Sequence, residues 1–126
     1  MESLPLHTLP KAERLSGKTS IASLLERGRY LSAGCLRACF AAGERRCRIL
    51  VSVPKRSFKR AVKRNLLKRR IRESYRLQKE LLAGVPPCDV MFVYTAREVL
   101  PSADIFAAMT ELLAAIRQQQ EKCAAQ

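Results

Sequence analysis

The basic residues of this chain are concentrated in one segment. Of its 24 Lys and Arg residues, twelve lie between Lys55 and Lys79, and Glu73 is the only acidic residue among them. Both side chains bind phosphate by charge, and arginine adds planar two-point hydrogen bonding. Like charges spaced four residues apart destabilise an isolated helix unless a counterion lies near them. The segment therefore predicts a surface that binds a polyanion through its phosphates.

The acidic and nucleophilic side chains are not arranged for catalysis. Two-metal and general acid–base sites need clustered carboxylates or a positioned histidine, whereas the carboxylates here are scattered and His7 is the single histidine. Five cysteines occur without a CxxC pair, and structural zinc requires four soft ligands at short paired spacings. We predict a noncatalytic polypeptide with reduced thiols, no metal site and no protein-bound cofactor.

The whole chain has the size and composition of one folded domain. It has 126 residues, 48% of them hydrophobic, and a formal net charge of +13 at pH 7. Such an excess favours nucleic acid as the partner, with an anionic membrane surface as the second choice. A membrane-spanning helix needs about 20 consecutive apolar residues, and no run here approaches that length. Met1 to Pro10 lacks the pattern of a secretory signal, so we expect a cytoplasmic protein.

The hydrophobic pattern divides the single domain into three parts. Residues 1–16 contain two prolines and are predicted to form an irregular arm. Residues 17–117 are predicted to form the folded core. Residues 118–126 are polar and rich in alanine, and we expect this tail to fray.

Within the core, periodicity predicts two amphipathic helices and three strands. Apolar residues at helical spacing indicate a short helix over Thr19–Arg27 and another helix after Pro101. Two strand-like runs, Leu36–Ala42 and Arg46–Val53, flank a loop that contains glycine, which predicts a hairpin. The apolar run Asp89–Thr95 fits a central strand.

The basic segment is predicted to form a third and longer helix. No Gly or Pro occurs between Phe58 and Ala83, Ser57 is placed to cap the first turn, and Gly84 ends the helix. At about 100° per residue, one side is mostly apolar and the opposite side is basic. The first side carries Leu67, Ile71, Ser74, Gln78, Leu81 and Leu82. The basic side carries Asn65, Lys68, Arg69, Arg72, Arg76 and Lys79. The predicted fold class is α+β, a small single-domain sandwich in the order helix, strands, long helix, strand, helix.

One motif spans the second strand-like run and the start of the long helix. It reads Val51-Ser52-Val53-Pro54-Lys55-Arg56, followed by Ala61-Val62-Lys63-Arg64-Asn65-Leu66-Leu67-Lys68-Arg69-Arg70-Ile71-Arg72-Glu73. These residues resemble the signature of the bacterial ribonuclease P protein subunit. In that family a strand ending in Ser-x-x-Lys leads to a helix that begins Ala-Val-x-Arg-Asn-Arg-x-Lys-Arg-x-(Ile/Leu)-Arg. Arg14-Leu15, Gly28, the chain length and the order of elements extend the resemblance. Leu66 departs from it, because the family has arginine there.

The resemblance implies both a fold and a function. The fold is a mixed sheet of about four strands, in which the long helix crosses between two parallel strands in the left-handed sense, although general rules favour the right-handed one. The function is that of the noncatalytic subunit of a ribonucleoprotein endoribonuclease, whose RNA subunit uses Mg²⁺ to hydrolyse a phosphodiester bond. The protein would bind that RNA and the 5′ leader of precursor tRNA, and so support removal of the leader in tRNA maturation.

The resemblance also implies two sets of site residues. The residues that contact the RNA subunit would be Lys55, Arg56, Lys59, Lys63, Arg64, Asn65, Lys68, Arg69 and Arg72. A cleft for the leader would lie between the first helix and the sheet, lined by Ile21, Leu25 and Phe40. The family tends to place aromatic residues in the first helix, where this chain has Ile21 and Leu25. A core position is the alternative for all three cleft residues, and a register shift of one residue would exchange Phe40 with Cys39.

Three alternatives stay open from the residues. A nonspecific RNA-binding or ribosome-associated protein without an enzyme partner explains the charge equally well, but leaves the Arg-Asn motif unexplained. A DNA-binding domain could place the basic helix in a major groove, although a strand follows that helix and no turn-helix partner does. A membrane-surface helix would need an exposed apolar face rich in Trp or Phe. We therefore expect the RNA subunit and precursor tRNA as partners, and neither DNA nor a membrane.

Overall fold

The structure, a computed structural model, describes residues 18–43 and 47–125. The predicted arm over residues 1–16, with His7 and Arg14-Leu15, lies outside the described residues. The elements, in chain order, are α1 (Lys18–Arg27), β1 (Arg29–Ala33), β2 (Leu36–Ala42), β3 (Arg48–Ser52), α2 (Ala61–Gln78), a 3-10 helix (Lys79–Leu82), β4 (Cys88–Tyr94) and α3 (Ser102–Ala125). This order confirms the predicted α+β class.

The four strands form one mixed sheet in the order β1-β2-β4-β3. β2 pairs antiparallel with both β1 and β4, while β3 pairs in parallel with β4. α2 therefore connects two parallel neighbours, as the resemblance implied. The left-handed sense of that connection stays a prediction.

The predicted hairpin of residues 36–42 and 46–53 is wrong, because β4 lies between these two strands in the sheet. The hairpin partner of β2 is instead β1, a strand that the sequence analysis did not identify. The two are joined by a tight turn in which Gly34 has φ +53°, a conformation that glycine adopts without steric cost. The register sets Tyr30 opposite Cys39 and Ala33 opposite Leu36.

The main core lies between one face of the sheet and the helices α2 and α3. Alternate residues of β4 and β2 point into it, among them Val90, Phe92 and Leu36, all fully buried. α3 contributes a broad apolar side through Ile105, Met109, Leu112, Leu113 and Ile116, as its sequence spacing predicted. Phe106, which the same spacing includes in the core side, is instead 40% exposed. α1 lies on the opposite face of the sheet, where Leu24 and Cys39 form a separate small cluster.

Both ends of the long helix differ from the sequence prediction. α2 begins at Ala61, after Arg60 in an extended conformation, and among the described residues no side chain caps its first turn. The predicted cap at Ser57 is therefore wrong, because residues 54–60 form a loop in which the Ser57 amide bonds the carbonyl oxygen of Pro54. At the other end the helix tightens to a 3-10 turn, followed by Gly84 at φ +79°.

The last helix continues beyond residue 117, the predicted end of the folded core. α3 runs to Ala125, and its polar residues near the end make specific contacts. Gln120 is buried and donates from Nε2 to the carbonyl oxygen of Pro86 at 3.0 Å. The Gln119 side chain accepts a hydrogen bond from Arg29. These contacts hold this part of α3 against β1 and against the segment that precedes β4.

No helix within the described residues has the length and apolar character needed to cross a membrane.

Candidate nucleic-acid interface

The loop before α2 is shaped by its own backbone and by one arginine of the helix. The amides of Ser57 and Phe58 both donate to the carbonyl oxygen of Pro54. The Phe58 ring is buried against Tyr94, with the ring centroids 5.7 Å apart. Arg64 Nη1 donates to the carbonyl oxygens of Phe58 at 2.7 Å and Lys59 at 2.8 Å. The helix thereby fixes the loop that precedes it.

The predicted RNA-binding residues fall into two groups on this framework. Three of them are exposed in the loop: Lys55, Arg56 and Lys59. On α2, Lys63, Asn65, Arg69 and Arg72 are exposed, while Arg64 and Lys68 are half-buried. Spacings of four and seven residues put Asn65, Arg69 and Arg72 on one outward face of the helix. Lys63 precedes Asn65 by two residues, which turns it to another side of α2.

The opposite side of α2 is buried, as the spacing of its apolar residues predicted. Leu67, Ile71, Ser74 and Gln78 all lie against the core, and Leu82 is buried in the 3-10 turn. Because this apolar side is held by α3 and the sheet, the outward side is fixed in orientation. A rigid cationic surface binds phosphates with a smaller ordering cost than a flexible one.

Little negative charge opposes this surface. Glu73 is the only acidic residue of α2, and Arg76 Nη2 binds its carboxylate at 3.0 Å. The hydrogen bond from Arg76 lowers the pKa of the Glu73 carboxyl, so the pair stays ionised. Arg70 is turned toward the segment before α3 and donates to the carbonyl oxygen of Leu100 at 2.8 Å. Arg70 thus anchors the domain, while Arg69 and Arg72 remain on the outward face.

A second surface is the sheet face that α1 only partly covers, here called the open sheet face. The strand register aligns one residue from each strand in a row, Tyr30, Cys39, Met91 and Leu50. Leu24 of α1 packs on Cys39, whose Sγ is 3.5 Å from the Leu24 carbonyl oxygen. Beyond that contact, Leu50 and Met91 are half-buried and Tyr30 is exposed. The arrangement leaves a shallow cleft beside α1 with an apolar floor.

An aromatic ring and a cation lie together on this open sheet face. Arg37 sits over the Tyr30 ring, with Cζ 4.7 Å from the ring centroid, and both side chains are exposed. Stacked guanidinium and aromatic groups are suited to contact an unpaired base and its phosphate together. Neither residue is among the site residues predicted from the sequence. The signal was the alternation over residues 36–41, where Arg37 and Cys39 share one face and Leu36 and Ala38 the other.

The three predicted cleft residues have different positions in the structure. Ile21 is half-buried in α1, and Leu25 is 42% exposed beside it. Phe40 is 2% exposed and belongs to the main core, on the face away from α1. The prediction that Phe40 faces the cleft is therefore wrong, because its neighbour Cys39 packs on Leu24 and successive strand residues alternate between faces. The core alternative applies to Phe40 and does not apply to Leu25.

One end of the open sheet face is organised by a buried carboxylate. Asp89 accepts two hydrogen bonds from Arg48, each 3.0 Å long, and Arg27 Nη2 lies 3.8 Å from the same carboxylate. Arg27 also donates to the carbonyl oxygen of Ala42 at 2.8 Å, which ties the end of α1 to β2. Two cations around one carboxylate leave this end of the cleft with net positive charge.

The described residues contain no group of three or more His, Cys, Asp or Glu side chains placed to hold a metal ion. The side chains of the two surfaces are suited to bind anionic and aromatic groups. The outward face of α2 fits a phosphate backbone, and the open sheet face fits a single strand.

Comparison with known proteins identifies relatives of most of the chain. The family model described as Ribonuclease P matches residues 9–118. The ribonuclease P protein component of Porphyromonas gingivalis is 40% identical over 89 residues, covering 68% of this chain and 65% of that protein. The ribonuclease P protein component of Chlorobaculum tepidum is 34% identical over 119 residues, covering 81% of this chain and 77% of that protein.

Two solved structures share the fold. The RNase P protein of Staphylococcus aureus superimposes with a TM-score of 0.73 at 19% identity, covering 85% of this chain and 97% of that one. The RNase P protein of Thermotoga maritima superimposes with a TM-score of 0.71 at 21% identity, covering 82% of this chain and 96% of that one. At these identities the two matches establish the architecture.

Proposed function

The chain belongs to the bacterial ribonuclease P protein component family, and from this premise we propose that it binds the RNA subunit of the enzyme through α2. Membership makes it the protein subunit of a ribonucleoprotein endoribonuclease of tRNA processing. The observation that carries the proposal is the outward face of α2. There Asn65, Arg69 and Arg72 lie together on a rigid helix whose single carboxylate is already paired with Arg76.

The proposed contacts combine charge neutralisation with hydrogen bonding. Arg69 and Arg72 neutralise phosphates of the RNA backbone, and the nearby loop adds Lys55, Arg56 and Lys59. Asn65 supplies both a donor and an acceptor, so it can bond a base edge or a sugar hydroxyl among the cations. Phosphate neutralisation displaces condensed counterions and brings RNA segments close together. Binding at this face would therefore lower the Mg²⁺ concentration at which the RNA subunit works.

We further propose that the open sheet face holds the single-stranded 5′ leader of precursor tRNA. The Tyr30 ring provides a stacking platform for an unpaired base, Arg37 provides the adjacent cation, and Met91 and Leu50 provide an apolar floor. Stacking on aromatic side chains is largely independent of base identity, which suits leaders of different sequence. In this scheme the protein orients the substrate, and the chemistry belongs to the RNA subunit and its Mg²⁺.

The test is cleavage of a precursor tRNA by a bacterial ribonuclease P RNA at low, near-physiological Mg²⁺, with and without this protein. The salt concentration is set high enough to suppress nonspecific binding. We expect protein-dependent cleavage at the mature 5′ end. RNA binding without stimulation, repeated with the cognate RNA, would overturn the proposal in favour of a general RNA-binding protein.

Substitution of Asn65 separates the same two functions without a change in charge. Asn65→Ala keeps every cation of α2, so a general RNA-binding protein would retain its full affinity. The proposed motif contact predicts weaker binding of the ribonuclease P RNA and less stimulation at low Mg²⁺. Val62→Ala is a matched control, because Val62 is exposed on the same helix and carries no polar group.

A further inference from the structure

A groove of about 400 Å³ runs between α2 and the start of α3, beside the outward face of α2. Its apolar lining comes from three residues, Leu66, Leu77 and Phe106. Leu77 is 43% exposed and Phe106 is 40% exposed, so both side chains can be reached from solvent. Leu66 occupies the position at which the family motif carries arginine, so this chain has an apolar wall there.

The edge of the groove is positively charged. Arg69 and Arg70 lie along it, and Glu73 is the acidic residue among its lining side chains. The Glu73 carboxylate is neutralised by Arg76. An occupant must therefore present a flat or apolar group to the floor and negative charge to the edge. A nucleotide has this combination, with an aromatic base joined to a phosphate.

The walls of the groove are fixed before any ligand arrives. Gln78 bridges the two helices by donating to the carbonyl oxygens of Ser74 at 3.2 Å and Phe106 at 3.1 Å. Thr110 donates to the side-chain oxygen of Gln78. At the other end Arg70 bonds the carbonyl oxygen of Leu100. The groove is therefore a preformed feature of the α2–α3 packing, and binding would require little reorganisation.

We propose that this groove holds one unstacked base of the RNA that α2 binds, with the base against the Phe106 ring and a neighbouring phosphate at Arg69. The proposal rests on the proposed function, since it needs RNA along α2. It adds a second kind of contact to the interface, in which an apolar pocket binds an unstacked base beside the phosphate contacts. Charge complementarity at the edge favours a nucleotide over an apolar peptide or a second copy of this chain.

The first experiment uses tryptophan as a reporter of stacking. The chain contains no tryptophan, so Phe106→Trp introduces a single one at the groove. The probe is the bacterial ribonuclease P RNA alone, without precursor tRNA. We expect the RNA to quench Trp fluorescence in this variant. Ala114→Trp is the control, because Ala114 is exposed two turns further along α3 and lies away from the groove.

The second experiment measures affinity against salt. Phe106→Ala should weaken RNA binding about five-fold or more, the loss expected for one stacked base. It should leave the salt dependence unchanged, because no phosphate contact is removed. The Phe106 backbone carbonyl keeps its hydrogen bonds in the variant, and a thermal melt checks that the domain is folded.

Failure of this inference can be told apart from failure of the proposed function. If Arg69→Ala lowers the salt dependence while Phe106→Trp is unquenched and Phe106→Ala binds normally, the groove is overturned and the α2 interface stands. If the wild-type protein neither binds the RNA nor stimulates cleavage, both are overturned. The wild-type chain could instead self-associate without RNA, and Phe106→Ala could abolish that self-association. This result would overturn the nucleotide site and assign the groove to a second copy of the chain.

Discussion

Arg64 and Phe58 are joined by a hydrogen bond of 2.7 Å between Nη1 of the arginine and the carbonyl oxygen of the phenylalanine. The same nitrogen also bonds the carbonyl oxygen of Lys59. Arg64 is therefore committed to the loop before α2, in addition to the charge it contributes to the interface. In the proposed RNA interface, Arg64 therefore also positions Lys55, Arg56 and Lys59, which that loop carries.

Loss of Arg64 should lower stability, whereas loss of an outward arginine should not. Arg64→Ala frees two carbonyl oxygens from a charged donor, and we expect the free energy of unfolding to fall by about 1–2 kcal/mol. Arg69→Ala, on the exposed face, should change it by less than about 0.5 kcal/mol. Urea denaturation measures both. Equal stability of the two variants would show that Arg64 does not hold the loop.

The outward arginines should control the salt dependence of RNA binding. Each phosphate contact removed lowers the slope of log affinity against log salt by about 1. Arg69→Ala and Arg72→Ala should each show this change in a binding titration over a range of KCl concentrations. Arg29→Ala is the control, because Arg29 lies on β1, the edge strand farthest from β3 in the sheet. A slope unchanged from wild type in both α2 variants would contradict the assignment.

Removal of the Tyr30 ring should affect only substrates that carry a leader. Tyr30→Ala deletes the stacking platform, and the holoenzyme should bind precursor tRNA about five-fold or more weakly. Binding of tRNA without a leader should be unchanged, because in the proposed arrangement only the leader reaches the open sheet face. Tyr30→Phe keeps the ring and should behave as wild type. An equal loss for both ligands in Tyr30→Ala would indicate a folding defect and not a leader contact.

The long helix and its basic face could be predicted because their signals are local. Residues 58–83 lack Gly and Pro, and side chains three and four apart share a face whatever the rest of the fold does. The burial of Leu67, Ile71 and Ser74 on one side confirms that reasoning. The exact start did not follow, because tertiary contacts at Phe58 and Arg64 favour a loop over a first helical turn.

Strand order could not be predicted in the same way, because it depends on pairing between distant segments. The short loop between residues 42 and 48 suggested that β2 and β3 pair. β4 is apolar on both faces, with Val90 and Phe92 on one side and Met91 on the other, so it takes the central position between them. β1 was missed because only Leu31 and Ala33 of that strand point toward the core, which is a weak signal for an edge strand.

The close approach of α1 to the sheet should make Gly28 intolerant of a side chain. A Cβ at this position would lie 2.3 Å from Cys39 Sγ and 2.5 Å from the Leu24 carbonyl oxygen. Gly28→Ala should therefore destabilise the protein by about 1–3 kcal/mol, the usual range for overpacking. Urea denaturation measures the loss. Cys39→Ala in the same chain removes one of the two clashes and should restore part of it. If Cys39→Ala only adds its own destabilisation to that of Gly28→Ala, a clash with Cys39 Sγ is not the cause of the stability lost in Gly28→Ala.

Alkaline pH should destabilise the fold through Cys88. Its Sγ lies 3.8 Å from Cys47 Sγ at the start of β4, and that thiol contact together with burial raises the pKa of Cys88 above its ordinary value of 9.0. Well below pH 9 the thiol is neutral in both the folded and unfolded chain. As pH rises past 9, only the unfolded chain ionises, so the free energy of unfolding falls, by about 1.4 kcal/mol from this group at pH 10.

Cys88→Ala removes this contribution together with the contact to Cys47, so the comparison with wild type reports on this thiol pair. The quantity compared is the change in the free energy of unfolding between two pH values, not the stability of the variant at one pH. Urea denaturation under reducing conditions at pH 7.5 and pH 10 gives the loss for each protein, and the loss should be smaller in the variant. Cys35 and Tyr94 also have raised pKa values from burial, but they are present in both proteins and cancel in the comparison. Equal losses in the two proteins would mean that Cys88 ionises as readily in the folded chain as in the unfolded one.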